Sequence, residues 1–265
     1  EEFIDDDPIT EVTLADIVDT HVELSVTSFV INKKIIDIAG DGPSSVEELF
    51  DGRPDFIFHL AGVDADAEVD FERGYRVNVD GTKNLLDAIR GIPGYCPRFV
   101  FASSISAPDQ CPTEPQGPSE IQKAIAELLV TDCSRKGVVD GISVRLPTSF
   151  FSSIIRESLS GYETICPVPP SYCHIVASPE AVAGNLLHAA NLSSRQIANA
   201  RIVNMPGVAV TVYEIIEAIS NVTEKNVVKL VPQGSNDNKR RSLHMSNIFK
   251  TNDESLALSL GFYPD

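Results

Sequence analysis

Short apolar runs alternate with amphipathic stretches through the first half of the chain. Five of these runs predict strands, because they are rich in β-branched and aromatic residues and are bounded by turn residues. They occupy 11–19, 33–40, 54–62, 97–106 and 141–147. Helical periodicity marks the stretches between them at 44–52, 70–91 and 119–137. Strands that alternate with helices in this way predict an α/β fold with a doubly wound parallel sheet.

The rhythm of the pattern changes after about residue 148. Helical patterns at 178–192 and 211–223 now mix with shorter strand-like runs. We therefore predict a nucleotide-binding domain over 1–148 and a smaller lobe over 149–265. The lobe is expected mainly to bind substrate, with some of its elements returning to the first domain.

The sequence contains no glycine-rich phosphate-binding motif. A doubly wound nucleotide-binding fold begins with a strand, a Gly-x-Gly-x-x-Gly turn and a helix, and no such spacing occurs in the 265 residues. We expect about one βα unit, roughly 25 residues, to precede Glu1 in the full-length protein. The alternative is a truncated fold that exposes a sheet edge.

The amino-acid composition limits the classes of partner that the protein is expected to bind. Hydrophobic residues make up 43% of the chain, which is enough for a substantial core, and the net charge of −17 argues against nucleic acid. No apolar run is long enough to cross a membrane, and no secretory signal leads the chain. The cysteines are scattered without a Cys-x-x-Cys pair, which predicts reduced thiols, a cytoplasmic location and no metal site. They are Cys96, Cys111, Cys133, Cys166 and Cys173.

Six segments occur in the order and spacing of a known family. They are "TLADIVD", "PDFIFHLAG", "GYRVNVDGTKNLLDAIR", "FVFASSIS", "QKAIAELL" and "ISVRLPT". Together they resemble the extended short-chain dehydrogenases/reductases, which include the sugar-nucleotide epimerases and dehydratases. The segments "FFSSIIRESLSG" and "ASPEAV" are most similar to the D-erythronate dehydrogenase branch. The resemblance implies a Rossmann-type domain, a nicotinamide dinucleotide, a small-molecule substrate and a homodimer packed through the helices at 70–91 and 119–137.

The cofactor residues are expected at the ends of the predicted strands. A carboxylate at Asp16 can accept hydrogen bonds from both ribose hydroxyls and repels a 2′-phosphate, which favours NAD over NADP. Asp37 and Ile38 resemble the family residues that meet the adenine. Leu60, Ala61 and Gly62 end the third predicted strand. The small side chains in this group permit close approach of the cofactor, although they also suit a tight turn.

The resemblance also supplies the candidate catalytic residues. Ser104 closes the fourth strand and matches the hydroxyl that holds the substrate oxygen in the family. Lys123 matches the lysine whose ammonium binds the nicotinamide ribose and lowers the pKa of the neighbouring acid. Asn78 matches an asparagine that orders a helix kink near the active site, or is an ordinary satisfied side chain.

Ser119 departs from the family pattern. A tyrosine is expected four residues before Lys123, on the same face of the helix, and Ser119 occupies that place. A serine hydroxyl is shorter, and it is a far weaker acid than a phenol of pKa about 10. Tyr172 could substitute from the second lobe. His174 is a candidate acid or base there, or else a structural residue, and no arginine stands beside it to bind a carboxylate.

Three functions remain open at this point. The first is an NAD(P)-dependent oxidoreductase that acts on a hydroxyl or carbonyl group of a small or secondary-metabolite-like substrate. The second is a non-redox isomerase or cyclase on the same scaffold, because the tyrosine is absent. The third is an inactive nucleotide-binding protein. Shared folds carry different sites, so the fold alone does not decide between them.

Overall fold

The strands and helices follow the predicted alternation. The computed structural model describes residues 3–4, 7–19, 28–63, 69–109, 117–147, 151–166, 168–198, 200–223, 228–230 and 253–265. The strands are β1 (Phe3–Ile4), β2 (Asp7–Pro8), β3 (Glu11–Asp16), β4 (Val30–Ile35), β5 (Phe56–His59), β6 (Arg98–Ser104), β7 (Asp140–Leu146), β8 (Thr164–Cys166), β9 (Cys173–Val176), β10 (Ile202–Asn204), β11 (Val208–Thr211) and β12 (Val228–Leu230). The α-helices are α1 (Phe71–Tyr75), α2 (Thr82–Arg90), α3 (Pro118–Arg135), α4 (Phe151–Leu159), α5 (Pro179–Asn191), α6 (Ser194–Ile197), α7 (Val212–Thr223) and α8 (Ser255–Ser259).

A four-stranded parallel sheet forms the centre of the molecule. Its strand order is β10-β7-β6-β5, and every neighbouring pair is parallel. Strands β3 and β4 form a separate parallel pair, in which Glu11 lies opposite Val30 and Asp16 opposite Ile35. The parallel sheet confirms the predicted α/β class.

Apolar layers cover both faces of the four-stranded sheet. On one face, Phe99 and Phe101 of β6 pack with residues of α2 and α3, including Leu86 and Val130. On the other face, Val100 and Ala102 of the same strand pack with residues of α5 and of the segment after β10. Successive residues of a strand point to opposite faces, so a strand covered on both sides is apolar nearly throughout, as β6 is.

A third apolar cluster lies in the second half of the chain. It joins α4 and α7 to β8 and β12, with Phe151, Tyr172 and Ile215 among its buried members. Helix α5 and strand β10 instead contribute to the central sheet and its covering layer. The proposed boundary at residues 148 and 149 lies outside the described residues and stays a prediction. Within the described part of the chain, no helix combines the length and apolar character needed to span a membrane.

Two of the predicted helices have a different helix type in the structure. The stretch 44–52 forms two short 3₁₀ turns, Pro43–Ser45 and Glu47–Phe50, rather than one helix. Val46, whose φ of −124° and ψ of 0° are not helical, separates the turns, and so short a segment gains little from helical cooperativity. The stretch 70–91 is helical, but its centre at Arg76–Gly81 is a π-helix between α1 and α2.

Candidate active site

Several of the candidate cofactor and catalytic residues lie at or just beyond the carboxyl ends of strands. Asp16 ends β3, and Asp37 follows β4 by two residues. Gly62 follows β5, while Ser104 is the last residue of β6. In open α/β folds ligands bind in the crevice at these strand ends.

Lys123 points from helix α3 to the junction between the ends of β5 and β6. Its side chain is buried, with 8% of the residue exposed. The Nζ atom donates a hydrogen bond to the carbonyl oxygen of Ala102 at 3.1 Å and lies 5.2 Å from the centre of the Phe101 ring. A Cβ built on Gly62 would stand only 2.7 Å from Nζ. The absence of a side chain at Gly62 therefore makes room for the lysine.

Asn78 connects the π-helix to the loop after β5. Its Oδ1 accepts a hydrogen bond from the Val63 amide at 2.9 Å, and its Nδ2 donates to the Val63 carbonyl at 2.7 Å. The same Nδ2 lies 2.9 Å from Oε1 of Gln122, the neighbour of Lys123 on α3. The π-helix, the loop after β5 and helix α3 are thus tied together by one amide. π-Helical segments are rare and frequently occur at functional sites.

The loop after β4 packs against the end of the π-helix and the start of α2. Asn84 donates from Nδ2 to the carbonyl oxygens of Ile38 and Gly40, both at 3.0 Å. The Ile38 side chain approaches Gly81 so closely that a Cβ there would lie 2.8 Å from Ile38 Cδ1. The Asp37 carboxylate accepts a hydrogen bond from the Ala39 amide at 2.9 Å. This loop is therefore ordered by contacts that the sequence analysis did not predict.

The serines at the end of β6 point in different directions. Ser103 is buried on the α3 side and donates from Oγ to Glu127 at 2.6 Å. Ser104 is half-buried, and its Oγ accepts a hydrogen bond from the Ser106 amide at 3.2 Å. Ser104 thus lies two residues beyond the carbonyl that Lys123 binds. Asp16 lies elsewhere, at the end of β3 in the two-stranded β3-β4 sheet. It is exposed, and its carboxylate accepts a hydrogen bond from the Val18 amide at 3.4 Å.

Ser119 lies in the first turn of helix α3. The helix begins at Pro118, where a missing amide hydrogen costs nothing, and Glu120 accepts a hydrogen bond from the Gly117 amide at 2.7 Å. Ser119 is half-buried and precedes Lys123 by four residues, so the two side chains lie on the same side of the helix. Its correspondence to the family tyrosine stays a prediction.

His174 lies beside aromatic members of the third apolar cluster, in the second half of the chain. Its ring is 5.5 Å from that of Phe151 and 6.2 Å from that of Tyr172, and its Nε2 has no hydrogen-bond partner among the described residues. Burial lowers the pKa of His174 to about 4, so the imidazole is neutral near pH 7. Burial also raises the pKa of Tyr172. The structure places both side chains among these rings, and their part in catalysis stays a prediction.

His59 was not singled out from the sequence. It is buried in β5, and its Nε2 lies 2.8 Å from Oγ1 of Thr82, which in turn donates to the Asn78 carbonyl at 2.8 Å. Burial, with a smaller effect of the Lys123 charge, lowers the pKa of His59 to about 3. A histidine inside the apolar run "FIFHLAG" was the available signal, because a buried polar side chain requires a partner.

Comparison with known proteins identifies the family. The profile described as the NAD dependent epimerase/dehydratase family matches residues 13–152, just over half of the chain. The chain belongs to this family. A D-erythronate dehydrogenase of Cupriavidus necator is 36% identical over 258 residues, which cover 86% of this chain and 77% of that protein. One of Haemophilus influenzae is 36% identical over 210 residues, which cover 71% of this chain and 66% of that protein.

Solved structures agree with this family. The crystal structure of a nucleoside-diphosphate-sugar epimerase from Agrobacterium tumefaciens is 35% identical, with a TM-score of 0.77, and the match covers 97% of this chain and 82% of that one. A GalE-like L-threonine dehydrogenase from Cupriavidus necator is 15% identical, with a TM-score of 0.75 over 96% of this chain and 86% of that one. The latter likeness shows the fold alone. The predictions of a Rossmann-type fold and of an NAD-dependent enzyme of the dehydrogenase/epimerase kind are confirmed.

Proposed function

We propose that the chain is an NAD-dependent dehydrogenase that oxidises a hydroxyl of a small or secondary-metabolite-like substrate, or reduces the corresponding carbonyl. The observation that carries the proposal is the position of the Lys123 ammonium, between Gly62 and the Ala102 carbonyl. A cation at that edge suits a ribose hydroxyl and a developing alkoxide. The identity to D-erythronate dehydrogenases makes a four-carbon sugar acid the first substrate to test.

The residues of this chain fit the two ends of a dinucleotide. At the adenosine end, the exposed carboxylate of Asp16 can accept hydrogen bonds from the ribose hydroxyls and would repel a 2′-phosphate. Asp37 and Ile38 are proposed to face the adenine, since the loop that carries them is ordered by Asn84. Residues 60–62 are exposed, and the small side chains among them permit close approach near the nicotinamide end. We therefore propose NAD, rather than NADP, as the cofactor.

Each proposed catalytic group has a distinct task. NAD, when bound, supplies the hydride acceptor. Lys123 orients the nicotinamide ribose, and its hydrogen bond to the Ala102 carbonyl fixes the direction of the ammonium. Ser104 would donate its hydroxyl hydrogen to the substrate oxygen, because its Oγ already accepts from the Ser106 amide. His174, neutral near pH 7, is proposed to hydrogen-bond the substrate from the second lobe.

Ser119 supports a second candidate function. A short hydroxyl one turn before Lys123 cannot reach as far as a phenol and is a much weaker acid. General acid or base participation contributes about 10²–10⁴-fold, so alcohol oxidation without it would be slow. The alternative is a non-redox isomerase or cyclase that keeps the nicotinamide as a bound, unreacted group.

A turnover assay separates the two candidates. The full-length protein is incubated with NAD and with D-erythronate, its neutral lactone and erythritol, and absorbance at 340 nm is followed. The dehydrogenase predicts NADH formation with at least one of these compounds. Substrate consumption seen by NMR without NADH would favour the isomerase. NAD binding with no turnover of any compound would contradict both.

We further propose a homodimer packed through α2 and α3. Leu128 on α3 is 66% exposed, and a second copy would remove this apolar side chain from water. Light scattering of the purified protein tests this directly. A mass of one chain would contradict it.

A further inference from the structure

A buried ion pair lies beside the proposed site. Glu127 of α3 and Arg145 of β7 are 1% and 3% exposed. Arg145 donates from Nε to Glu127 Oε1 at 2.7 Å and from Nη2 to Oε2 at 2.8 Å, which is the bidentate geometry of a strong charge-assisted pair. Burial alone would lower the pKa of Arg145, but its hydrogen bonds to Glu127 raise it overall.

The ion pair extends into a network that reaches two strands and a loop. Ser103 of β6 donates from Oγ to Glu127 Oε1 at 2.6 Å. The remaining guanidinium nitrogen of Arg145 donates to Asp109, an exposed residue in the loop after β6. Glu127 is therefore bonded to β6 through Ser103 and to β7 through Arg145, and each of its carboxylate oxygens has a partner. A buried carboxylate so satisfied has one fixed position.

Glu127 is the second residue of α3 that bonds to β6, since Lys123 bonds to the same strand one helical turn earlier. Lys123 binds the carbonyl of Ala102, and Glu127, four residues later on the same side of the helix, binds the hydroxyl of Ser103. Two successive turns of α3 are thus fixed to two successive residues of β6. The next residue of that strand is Ser104. Any shift of α3 along β6 would move the Lys123 ammonium relative to the Ser104 hydroxyl.

Stability alone does not explain charges at these positions. Removing a carboxylate and a guanidinium from water is unfavourable, and well-packed apolar residues of similar size often stabilise a protein as much or more. The neighbouring positions are already apolar, since Ala126 and Val130 of α3 pack on Phe99 and Phe101. In some proteins a buried polar group fixes the register between packed elements, and the directional bonds of Glu127 suit such a role.

We propose that Glu127 is a positioning residue for the reaction. Together with Ser103 and Arg145 it sets the register of α3 on β6, and thereby the place of Lys123 beside Ser104. This inference rests on the proposed function for its catalytic meaning. Its structural part, the fixed position of Lys123, is testable without any turnover.

The test replaces the network with apolar residues. The triple variant Ser103→Ala/Glu127→Leu/Arg145→Met keeps the volume but removes the directional bonds, and Ser103→Ala alone is a milder variant. Asp140→Asn is the matched control, because Asp140 pairs with Arg201 at 2.5 Å and with Arg98 at 2.9 Å at the opposite end of β7.

The first readout is the rate at which Lys123 is acetylated by a water-soluble acetyl ester, followed by mass spectrometry. Lys83 and Lys136, with side chains 56% and 62% exposed, serve as internal references. We expect Lys123 to react at least five-fold faster in the triple variant and about two-fold faster in Ser103→Ala. The reference lysines, and the Asp140→Asn control, should keep wild-type rates.

The second readout is catalysis, with the melting temperature measured alongside. We expect the triple variant to melt within a few degrees of the wild type, with kcat lower by about 10–100-fold and KM changed less than three-fold. An unchanged Lys123 labelling rate would overturn the proposal. So would a triple variant that fails to fold, since the network would then be a requirement for stability. If the wild type oxidises no substrate, the proposed function fails while the labelling result still decides the positioning.

Discussion

Gly62→Ala should lower turnover while leaving the fold intact. The backbone of Gly62 does not adopt the left-handed conformation, so an alanine fits its dihedral angles. The new Cβ would lie 2.7 Å from Lys123 Nζ and 3.2 Å from Asn78 Oδ1. One of these atoms must move, and the end of the lysine side chain moves more easily than the doubly bonded amide of Asn78.

The size of the effect follows from these distances. Non-bonded heavy atoms keep a separation of about 3.5 Å, so Nζ must retreat by roughly 0.8 Å. Its hydrogen bond to Ala102, now 3.1 Å, would then stretch towards the limit of a hydrogen bond or break. Misplacing a reacting group by about 1 Å can cost about 10²-fold in rate. We therefore expect kcat to fall by about 10–100-fold.

Stability should hardly change. An alanine in place of glycine reduces the freedom of the unfolded chain and stabilises by about 0.4–1 kcal/mol, which offsets the local strain. Thermal melting and NADH formation at 340 nm are measured on the same preparations. Gly52→Ala is the matched control, because a Cβ there has no atom within 4 Å and the backbone is likewise not left-handed.

Two results would refute this reasoning. If Gly62→Ala retains wild-type kcat, the position of Lys123 does not govern the reaction. If instead the melting temperature falls by more than about 10 °C while Gly52→Ala is stable, the glycine serves folding rather than the site.

Three further predictions use other parts of the chain. Asp16→Ser should reduce the preference for NAD over NADP, measured as the ratio of kcat/KM values, by about 10–100-fold, because it removes a hydrogen bond to a charged group. The control variant Asp19→Ser should leave this ratio unchanged. Ser119→Tyr should raise turnover at least 10-fold if the reaction is a dehydrogenation; no gain would favour the non-redox alternative. His59 has a folded pKa of about 3, below the ordinary value of 6.5, so the unfolded chain takes up its proton first as the pH falls. On account of this residue, the free energy of unfolding should therefore drop by about 1.4 kcal/mol per pH unit as the pH falls from 6.5 towards 3. Urea titrations should show a flatter profile for His59→Gln; equal profiles would contradict the buried neutral ring.

Much of the central sheet could be predicted from the apolar pattern. The runs that contain β5, β6 and β7 are apolar because both faces of the sheet are covered, and covered strands leave a clear signature. Strand ends in such sheets meet at one edge, which places Gly62 and Ser104 there, whereas the catalytic role of Ser104 comes from the resemblance. The resemblance to the dehydrogenases added Lys123, which periodicity alone does not distinguish from a surface lysine.

The contacts that order the site were not predictable in the same way. The π-helix depends on tertiary contacts, among them the bond of Asn78 to Val63 and the approach of Ile38 to Gly81. Glu127 and Arg145 are 18 residues apart and lie on different elements, and the local sequence shows each only as a charged residue in an apolar stretch. Only the packing of α3 on the sheet turns them into a pair. The helix type of short segments such as 44–52 is equally hard to predict from the sequence, because tertiary contacts decide between an α-helix and 3₁₀ turns.

Lys123 is proposed to hold a dinucleotide at the edge of the sheet. Calorimetric titration of NAD into the full-length protein and into Lys123→Met tests this most directly, since methionine is unbranched and only one atom shorter than lysine but carries no charge. We expect the wild type to bind NAD and the variant to bind at least 10-fold more weakly, with an unchanged melting temperature. Equal affinities would contradict the claim.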